Sequence, residues 1–311
     1  MRVISAAETQ AALDFPSLVD TLREAFRRGA EVPVRHHHTL PKLSEPAATL
    51  LLMPAWQNER HIGVKIVTVT PGNGERGLPA VMGVYLLMDG QTGSPLALID
   101  GPMLTLRRTA AASALASTYL SRNDAQRLLM VGTGALAPHL IQAHAAVRPL
   151  KEVLIWGRSL DKAKRLAKAM SSKALQVSAT DDLAGAVGGA DIVSCATLSR
   201  EPLIRGEWLR PGQHLDLVGG FTPEMREADD EVVRRSRIFV DTREGATKEA
   251  GDIVQPLKNG ALAPEDIAGD LFELSRGERA GRRFYHQITL FKSVGTALED
   301  LAAAQLTVRR A

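Results

Sequence analysis

One cysteine, Cys195, stands in 311 residues, so no disulfide can form within the chain, and the reading that follows is of a protein of the reducing cytoplasm. Long apolar runs are missing as well. No stretch of about 18 consecutive apolar residues occurs, and the opening MRVISAAETQAALDF has no uninterrupted apolar segment after its arginine, which excludes a membrane span and a signal peptide from the expectation. Nor is there a block of like charge. The 38 lysines and arginines exceed the 35 aspartates and glutamates by only +3, spread along the chain, so no nucleic-acid partner is expected and the basic balance points to small anionic ligands. Internal repeats and low-complexity tracts are also lacking. With 45% hydrophobic and 23% charged residues the chain has the make-up of a globular protein with a real core, and its length suits two domains, one of them discontinuous.

What is present divides by rhythm. Phe15-Pro16-Ser17 leads into LVDTLREAFRRGA, where Leu18, Leu22, Ala25 and Phe26 recur at helical spacing and Gly29 stands near the exit. From about Arg35 to Ile99 the runs TLLLM, HIGVKIVTVT, VMGVYLLMD and LALID read as strands between turn residues, with a hairpin turn at 89–93. MLTLRRTAAASALASTYLS, free of internal proline and glycine, predicts a helix, and a domain boundary is expected near Arg122. Six short apolar strands follow, RLLMV, EVLIW, LQVSA, DIVSCA, HLDLVG and RIFVD, separated by helical segments: a parallel sheet wound with helices on both faces. LFKSVGTALEDLAAAQL is predicted helical and is expected to return to the first domain. The expected fold is α/β: a doubly wound parallel sheet over 122–290, inserted in a β-rich α+β domain of 1–121 plus 291–311.

RLLMV runs directly into Gly132-Thr133-Gly134-Ala135-Leu136-Ala137, a G-x-G-x-x-A sequence ahead of a helix whose first turn accepts Pro138. Gly132 permits the tight turn, Gly134 lets the backbone approach a pyrophosphate, and Ala137 allows close helix-to-strand packing while the helix N-terminus faces the anion. With EVLIW as the second strand, these parts make one βαβ unit of the Rossmann dinucleotide-binding kind. An NAD-specific site places a carboxylate after that second strand; here stand Gly157-Arg158-Ser159, with Lys162 close behind, groups suited to the 2′-phosphate of NADPH. NADPH is therefore the expected cofactor, with NADH less preferred.

At this point the chain resembles the ornithine cyclodeaminase/mu-crystallin family. The resemblance spans nearly the whole length and rests on PVR at 33–35, GVKIVT at 63–68, RTAAAS at 108–113, GTGALA at 132–137, LVGGFTPEMRE at 217–227, EAGDI at 249–253 and KSVGTALED at 292–300. It implies a homodimer in which the β-rich domain binds substrate and pairs the subunits beside the cofactor domain, with small amino acids or cyclic imino acids as substrates. It implies that Arg35, Lys65 and Arg108 hold the substrate carboxylate, a role their chemistry suits, since cations from separate elements can clamp one carboxylate and orient the adjacent carbon. Of the adjacent arginines, Arg108 rather than Arg107 aligns with the motif. It further implies cofactor contacts at Thr109, Thr133, Ala135, Leu136, Thr197, Val218, Gly219, Ser293 and Val294, and a substrate or nicotinamide contact at Thr222.

One position departs from the pattern. Where ornithine cyclodeaminases carry an aspartate after Val-Gly-Gly, this chain has Phe221, which cannot take a proton. Cyclodeamination must oxidise an amine, close a ring and expel ammonia, whereas imine reduction needs a held iminium, a hydride and a protonated nitrogen. GGFTPEMRE resembles the branch that reduces Δ1-pyrroline-2-carboxylate and Δ1-piperideine-2-carboxylate, so the expected function is NADPH-dependent reduction of these cyclic imino acids, with Phe221 as an apolar wall and Lys65 or a bound water as proton source. Ornithine cyclodeaminase and alanine dehydrogenase are the alternatives of the same class; a non-catalytic NADPH-dependent binding protein like mu-crystallin is the alternative of another. No metal is expected: alternation along a strand leaves only His36 and His38 of the histidine run on one face. Cys195 reads as a small buried thiol, and Asp229-Asp230 as the start of a helix.

Overall fold

A computed structural model describes residues 1–41 and 47–311. In chain order the elements are β1 (Arg2–Ile4), α1 (Ala6–Ala12), α2 (Phe15–Arg28), β2 (His36–Leu40), β3 (Ala48–Gln57), β4 (His61–Val69), β5 (Val81–Asp89), β6 (Pro95–Asp100) and α3 (Gly101–Leu120). There follow β7 (Arg127–Val131), α4 (Ala137–Val147), β8 (Glu152–Trp156), α5 (Leu160–Met170), β9 (Gln176–Ala179), α6 (Leu183–Gly189), β10 (Ile192–Cys195), β11 (His214–Leu217) and α7 (Asp230–Arg235). The chain closes with β12 (Arg237–Val240), α8 (Arg243–Glu249), α9 (Gly251–Asn259), β13 (Ile267–Asp270), α10 (Leu271–Arg276), β14 (Thr289–Lys292) and α11 (Ala297–Arg310). Two compact units result: residues 1–109 with 296–311, and residues 110–295.

In the first unit the sheet order is β1-β6-β5-β4-β3-β2, antiparallel except for the parallel pair β1 and β6. The helix α2 buries Leu18, Val19, Leu22, Ala25 and Phe26; Asp14 caps its start by accepting from the Ser17 amide (3.0 Å), and Gly29, at φ 78°, ends it. The helix α11 packs on α2 and over β3, β4 and β5. The edge strand β2 carries the histidine run with all five residues exposed. On β4, Lys65 lies opposite Tyr85 of β5 and Met53 of β3, and all three are buried. Gly63 of the same strand has no room for a side chain, because a Cβ there would run into the hydroxyl of Tyr85.

The second unit holds eight parallel strands in the order β13-β12-β14-β11-β10-β7-β8-β9. The chain leaves β7 for β8 and β9 on one side and then crosses back to β10 on the other, so β7 and β10 flank the switch point at whose carboxyl side such sheets bind ligands. Leu129, Val131, Val193, Cys195, Leu215, Leu217 and Leu290 belong to its core. There burial and nearby carboxylates push the Cys195 thiol well above its ordinary pKa. Asp229 caps α7 by accepting from the Val232 amide (2.9 Å).

Three features differ from the sequence expectation, the first being that the parallel sheet has eight strands where six were read, β13 and β14 being the additions. The segment LFKSV is not helical: Thr289–Lys292 is a central strand between β11 and β12, and the helix begins only at Ala297, after Gly295 at φ 83° and the cap Thr296. A strand buried on both faces shows no alternation and reads like a helix segment. The division between the units also falls inside α3, ahead of its C-terminal end. The last turns of α3 are held within the second unit, where Arg148 donates to the Ser117 carbonyl (2.6 Å) and Ser121 hydroxyl (2.7 Å), and Arg282 donates to the Leu120 carbonyl (2.7 Å). Among the described residues no helix is long and apolar enough to cross a membrane.

Candidate active site

In the second unit the candidate cofactor residues gather at the carboxyl ends of adjacent strands: Gly132 to Ala137 after β7, Gly157 to Ser159 after β8, Thr197 after β10, Val218 and Gly219 after β11, Ser293 and Val294 after β14. Gly132 adopts φ 122°, and a Cβ on it would stand 2.6 Å from the Ala196 carbonyl oxygen, so only glycine fits this turn. Gly134 is exposed and a Cβ there would meet no protein atom within 4 Å, so its backbone faces outward. Buried Ala137 opens α4, whose N-terminus has no side-chain cap. A tight glycine turn, an outward backbone and uncapped helix amides fit a pyrophosphate. Gly157 abuts the same loop, since a Cβ on it would lie 2.7 Å from Cγ2 of Thr133. Arg158 is exposed, with no carboxylate among 157–159, while the Ser159 hydroxyl caps α5 by accepting from the Lys162 amide (3.4 Å).

Beneath these strand ends lies a buried charged group that sequence reasoning missed. Glu227 accepts from the Thr197 amide (2.7 Å) and hydroxyl (2.8 Å) with one oxygen and from the Gly219 amide (2.8 Å) with the other. Asp252 accepts from the Glu227 and Ala228 amides (2.8 and 3.0 Å) and pairs with Lys292 Nζ at 3.0 Å. Burial pushes the Glu227 carboxyl above its usual range, with Lys292 opposing and Asp252 adding to the effect. Asp241 serves the neighbouring turn, accepting from the Val294 and Gly295 amides (2.8 and 2.6 Å). Phe221 is 45% exposed beyond the two glycines, and the Thr222 carbonyl accepts from the Met225 and Gly251 amides (3.0 and 3.2 Å) as part of a turn.

In the first unit, two of the three candidate carboxylate-binding cations are buried together with two carboxylates. Lys65 Nζ lies 2.6 Å from Asp300; Arg108 donates from Nε to Asp300 (2.8 Å) and from Nη1 to Glu299 (2.6 Å). Burial pushes the Lys65 ammonium down to about 8; Asp300 resists this, and the charges of Arg108 and Arg35 add to it. Half-buried Arg35 is thus within electrostatic reach of Lys65. Burial opposes the charge of Arg108 too, but Asp300 and Glu299 outweigh it and raise the guanidinium above its ordinary value. Asp300 is held below the usual carboxylate range, its burial cost outweighed by Arg108 and Lys65. The adjacent arginines divide their work: Arg107 donates to the Leu13 carbonyl (2.8 Å from Nε) and stacks 3.6 Å over the Phe15 ring. Thr109, next to Arg108 on α3, is half-buried.

Glu299 and Asp300 were legible only as first-turn acids of a helix, where the helix dipole favours them anyway. What could have singled them out is their setting between the apolar Ala297, Leu298 and Leu301, all of which are buried.

Comparison with known proteins gives matches over nearly the whole chain. Protein SAR DEFICIENT 4 of Arabidopsis thaliana is 43% identical, over 94% of each chain. A Delta(1)-pyrroline-2-carboxylate reductase of Paracoccus denitrificans is 38% identical over 97% of this chain and 98% of its own. Among solved structures, the Delta(1)-pyrroline-2-carboxylate reductase of Thermococcus litoralis, in complex with NADH and L-proline, superposes with a TM-score of 0.93 at 34% identity, covering 100% of this chain and 97% of that one. The profile of one family matches residues 1–311. The chain belongs to the ornithine cyclodeaminase/mu-crystallin family.

Proposed function

We propose that this protein is an NADPH-dependent reductase of cyclic imino acids, converting Δ1-pyrroline-2-carboxylate to proline and its six-membered homologue, Δ1-piperideine-2-carboxylate, to pipecolate. The observation that carries the reading is the full-length likeness to chains named Delta(1)-pyrroline-2-carboxylate reductases. Phe221 supports it from the sequence, since reduction needs no carboxylate at that position and cyclodeamination does.

In this reading Lys65 and Arg108, with Arg35, hold the substrate carboxylate. Arg108 remains charged throughout the working range because two carboxylates flank it. Lys65, at about 8, is mostly protonated near neutrality and close enough to it to return a proton, which makes it the protein group suited to keep the ring nitrogen charged. Gly132 to Ala137, Thr109, Arg158, Ser159, Lys162, Thr197, Val218, Gly219, Ser293 and Val294 hold the dinucleotide, and Phe221 and Thr222 border the substrate. The chemistry a bound reduced nicotinamide supplies is a hydride for C2 of the iminium, while the nitrogen keeps its proton and stays in the ring. The preference for NADPH over NADH rests on exposed Arg158 and the missing carboxylate beside it. A cytoplasmic homodimer belongs to the same reading.

The test is a spectrophotometric screen of NADPH oxidation with both cyclic imines, pyruvate plus ammonia, and controls. Turnover with a cyclic imine is expected. Oxidation only with pyruvate and ammonia would make the protein an alanine dehydrogenase, and cofactor binding with no turnover would make it a binding protein.

A further inference from the structure

The last rung of the ladder between β10 and β11 is the bond from the Val218 amide to the Cys195 carbonyl (2.8 Å). Past it both chains run into turns that stay close together, and the next link is the Glu227 carboxylate, which takes Thr197 on one oxygen and Gly219 on the other. Among the described residues every hydrogen-bond partner of this carboxylate is a donor. The Glu227 backbone is fixed in turn by Asp252, itself paired with Lys292, and none of the three side chains reaches solvent beyond 1% exposure. The glycines above are shaped by this support: a Cβ on Gly219 would strike Thr197 and Glu227, and one on Gly220 would stand 2.8 Å from Asp252 Oδ2. Burying such charges carries a desolvation cost that filling space alone would not require.

We propose that Glu227 is a positioning residue, one carboxylate that locks the Thr197 and Gly219 turns together and thereby sets how the nicotinamide lies for hydride transfer. The inference rests on the reductase reading above. Glu227→Gln preserves shape but places an amide N–H group against one of the donors, so a space-filling role tolerates it and a two-sided acceptor role does not.

In the full-length protein, Glu227→Gln should slow single-turnover hydride transfer from NADPH about a hundredfold while the imine KM moves less than about threefold. The isotope effect from 4-deuterated NADPH should grow, the emission of bound NADPH should shift toward that of the free cofactor, and the Thr197 and Gly219 amides should exchange faster. Wild-type hydride transfer and wild-type NADPH emission in this variant, even with a lowered Tm, would reduce Glu227 to a stabilising role and overturn the proposal. Should Glu227→Gln not fold, Glu227→Asp decides, because it keeps the charge on a shorter arm. It must transfer hydride about tenfold more slowly than wild type, and an unchanged rate refutes the proposal. If the wild type itself reduces no cyclic imine, the reductase reading fails, and the emission and exchange measurements still judge the clamp.

Discussion

Replacing Asp300 with asparagine removes a carboxylate that touches both Lys65 (2.6 Å) and Arg108 (2.8 Å). Two unit charges at that separation are worth about 6 kcal/mol at an effective dielectric near 20. Because asparagine keeps an accepting oxygen, we take about half of this, ~3 kcal/mol, as the loss, equivalent to about two pKa units. Lys65 would then fall from about 8 to roughly 6. Only the ammonium form attracts a carboxylate, so at about pH 7.5 the competent fraction drops from about three quarters to about three per cent, roughly a twentyfold loss of affinity. The assay is the Kd of pyrrole-2-carboxylate against pH, a ligand chosen because its carboxylate is the only charge it carries in this range. In the wild type affinity should fall as pH rises through about 8; in Asp300→Asn the same fall should come near pH 6, with affinity recovered below it. An unmoved or raised midpoint would refute the coupling. The wild-type group has a stability signature as well. Its folded value of about 8 lies below the ordinary 10.5, so the unfolded chain binds more protons between these values and the contribution of Lys65 to stability rises with pH across that window.

Three further outcomes are expected. Arg158→Ala should weaken NADPH about ten- to a hundredfold and leave NADH nearly unchanged, as judged by the ratio of the two KM values; equal losses would remove Arg158 from the 2′-phosphate site. The wild type should release no ammonia from ornithine at a rate comparable with imine reduction, a missing acid/base group being worth about 10² to 10⁴-fold, and Phe221→Asp should impair reduction without creating that activity. Robust ammonia release from the unmodified protein would overturn the choice of reaction. Gly63→Ala should lower stability by about 1–3 kcal/mol through collision with Tyr85, seen as a lower denaturant midpoint; an unchanged midpoint would mean that the ring moves aside at little cost.

The parallel sheet was legible because its early strands are short apolar runs set between helical segments, and the glycine fingerprint was legible because strand, turn and helix occur in order. β14 was not. Its four residues are buried on both faces and include Lys292, fully enclosed, and nothing in a linear pattern announces a lysine whose partner, Asp252, lies forty positions earlier. The candidate cations could be named from the sequence, and their partners could not. Arg35, Lys65 and Arg108 stand in motifs that carry the family resemblance, Lys65 in an apolar run as well, yet Asp300 sits in a first helical turn, where acids are ordinary. The same holds for Glu227, which reads as one more charge in EMREADD until the fold brings Thr197 and Gly219 to its two oxygens.

The segment from Lys292 to Asp300 is tethered along its whole length. Its first residue pairs with Asp252, Val294 and Gly295 are bonded to Asp241, Thr296 caps α11, and its last two residues hold Arg108 and Lys65. Each end is therefore bound within its own unit, Lys292 by the register of β14 in the second, Glu299 and Asp300 by the cations of the first. A residue inserted inside β14 would draw Lys292 away from Asp252, and one inserted in α11 just after Asp300 would turn Glu299 and Asp300 by about 100° relative to the rest of the helix, away from their cations. Side chains along the segment are free to vary one at a time, while a change of length inside either element strands a buried charge.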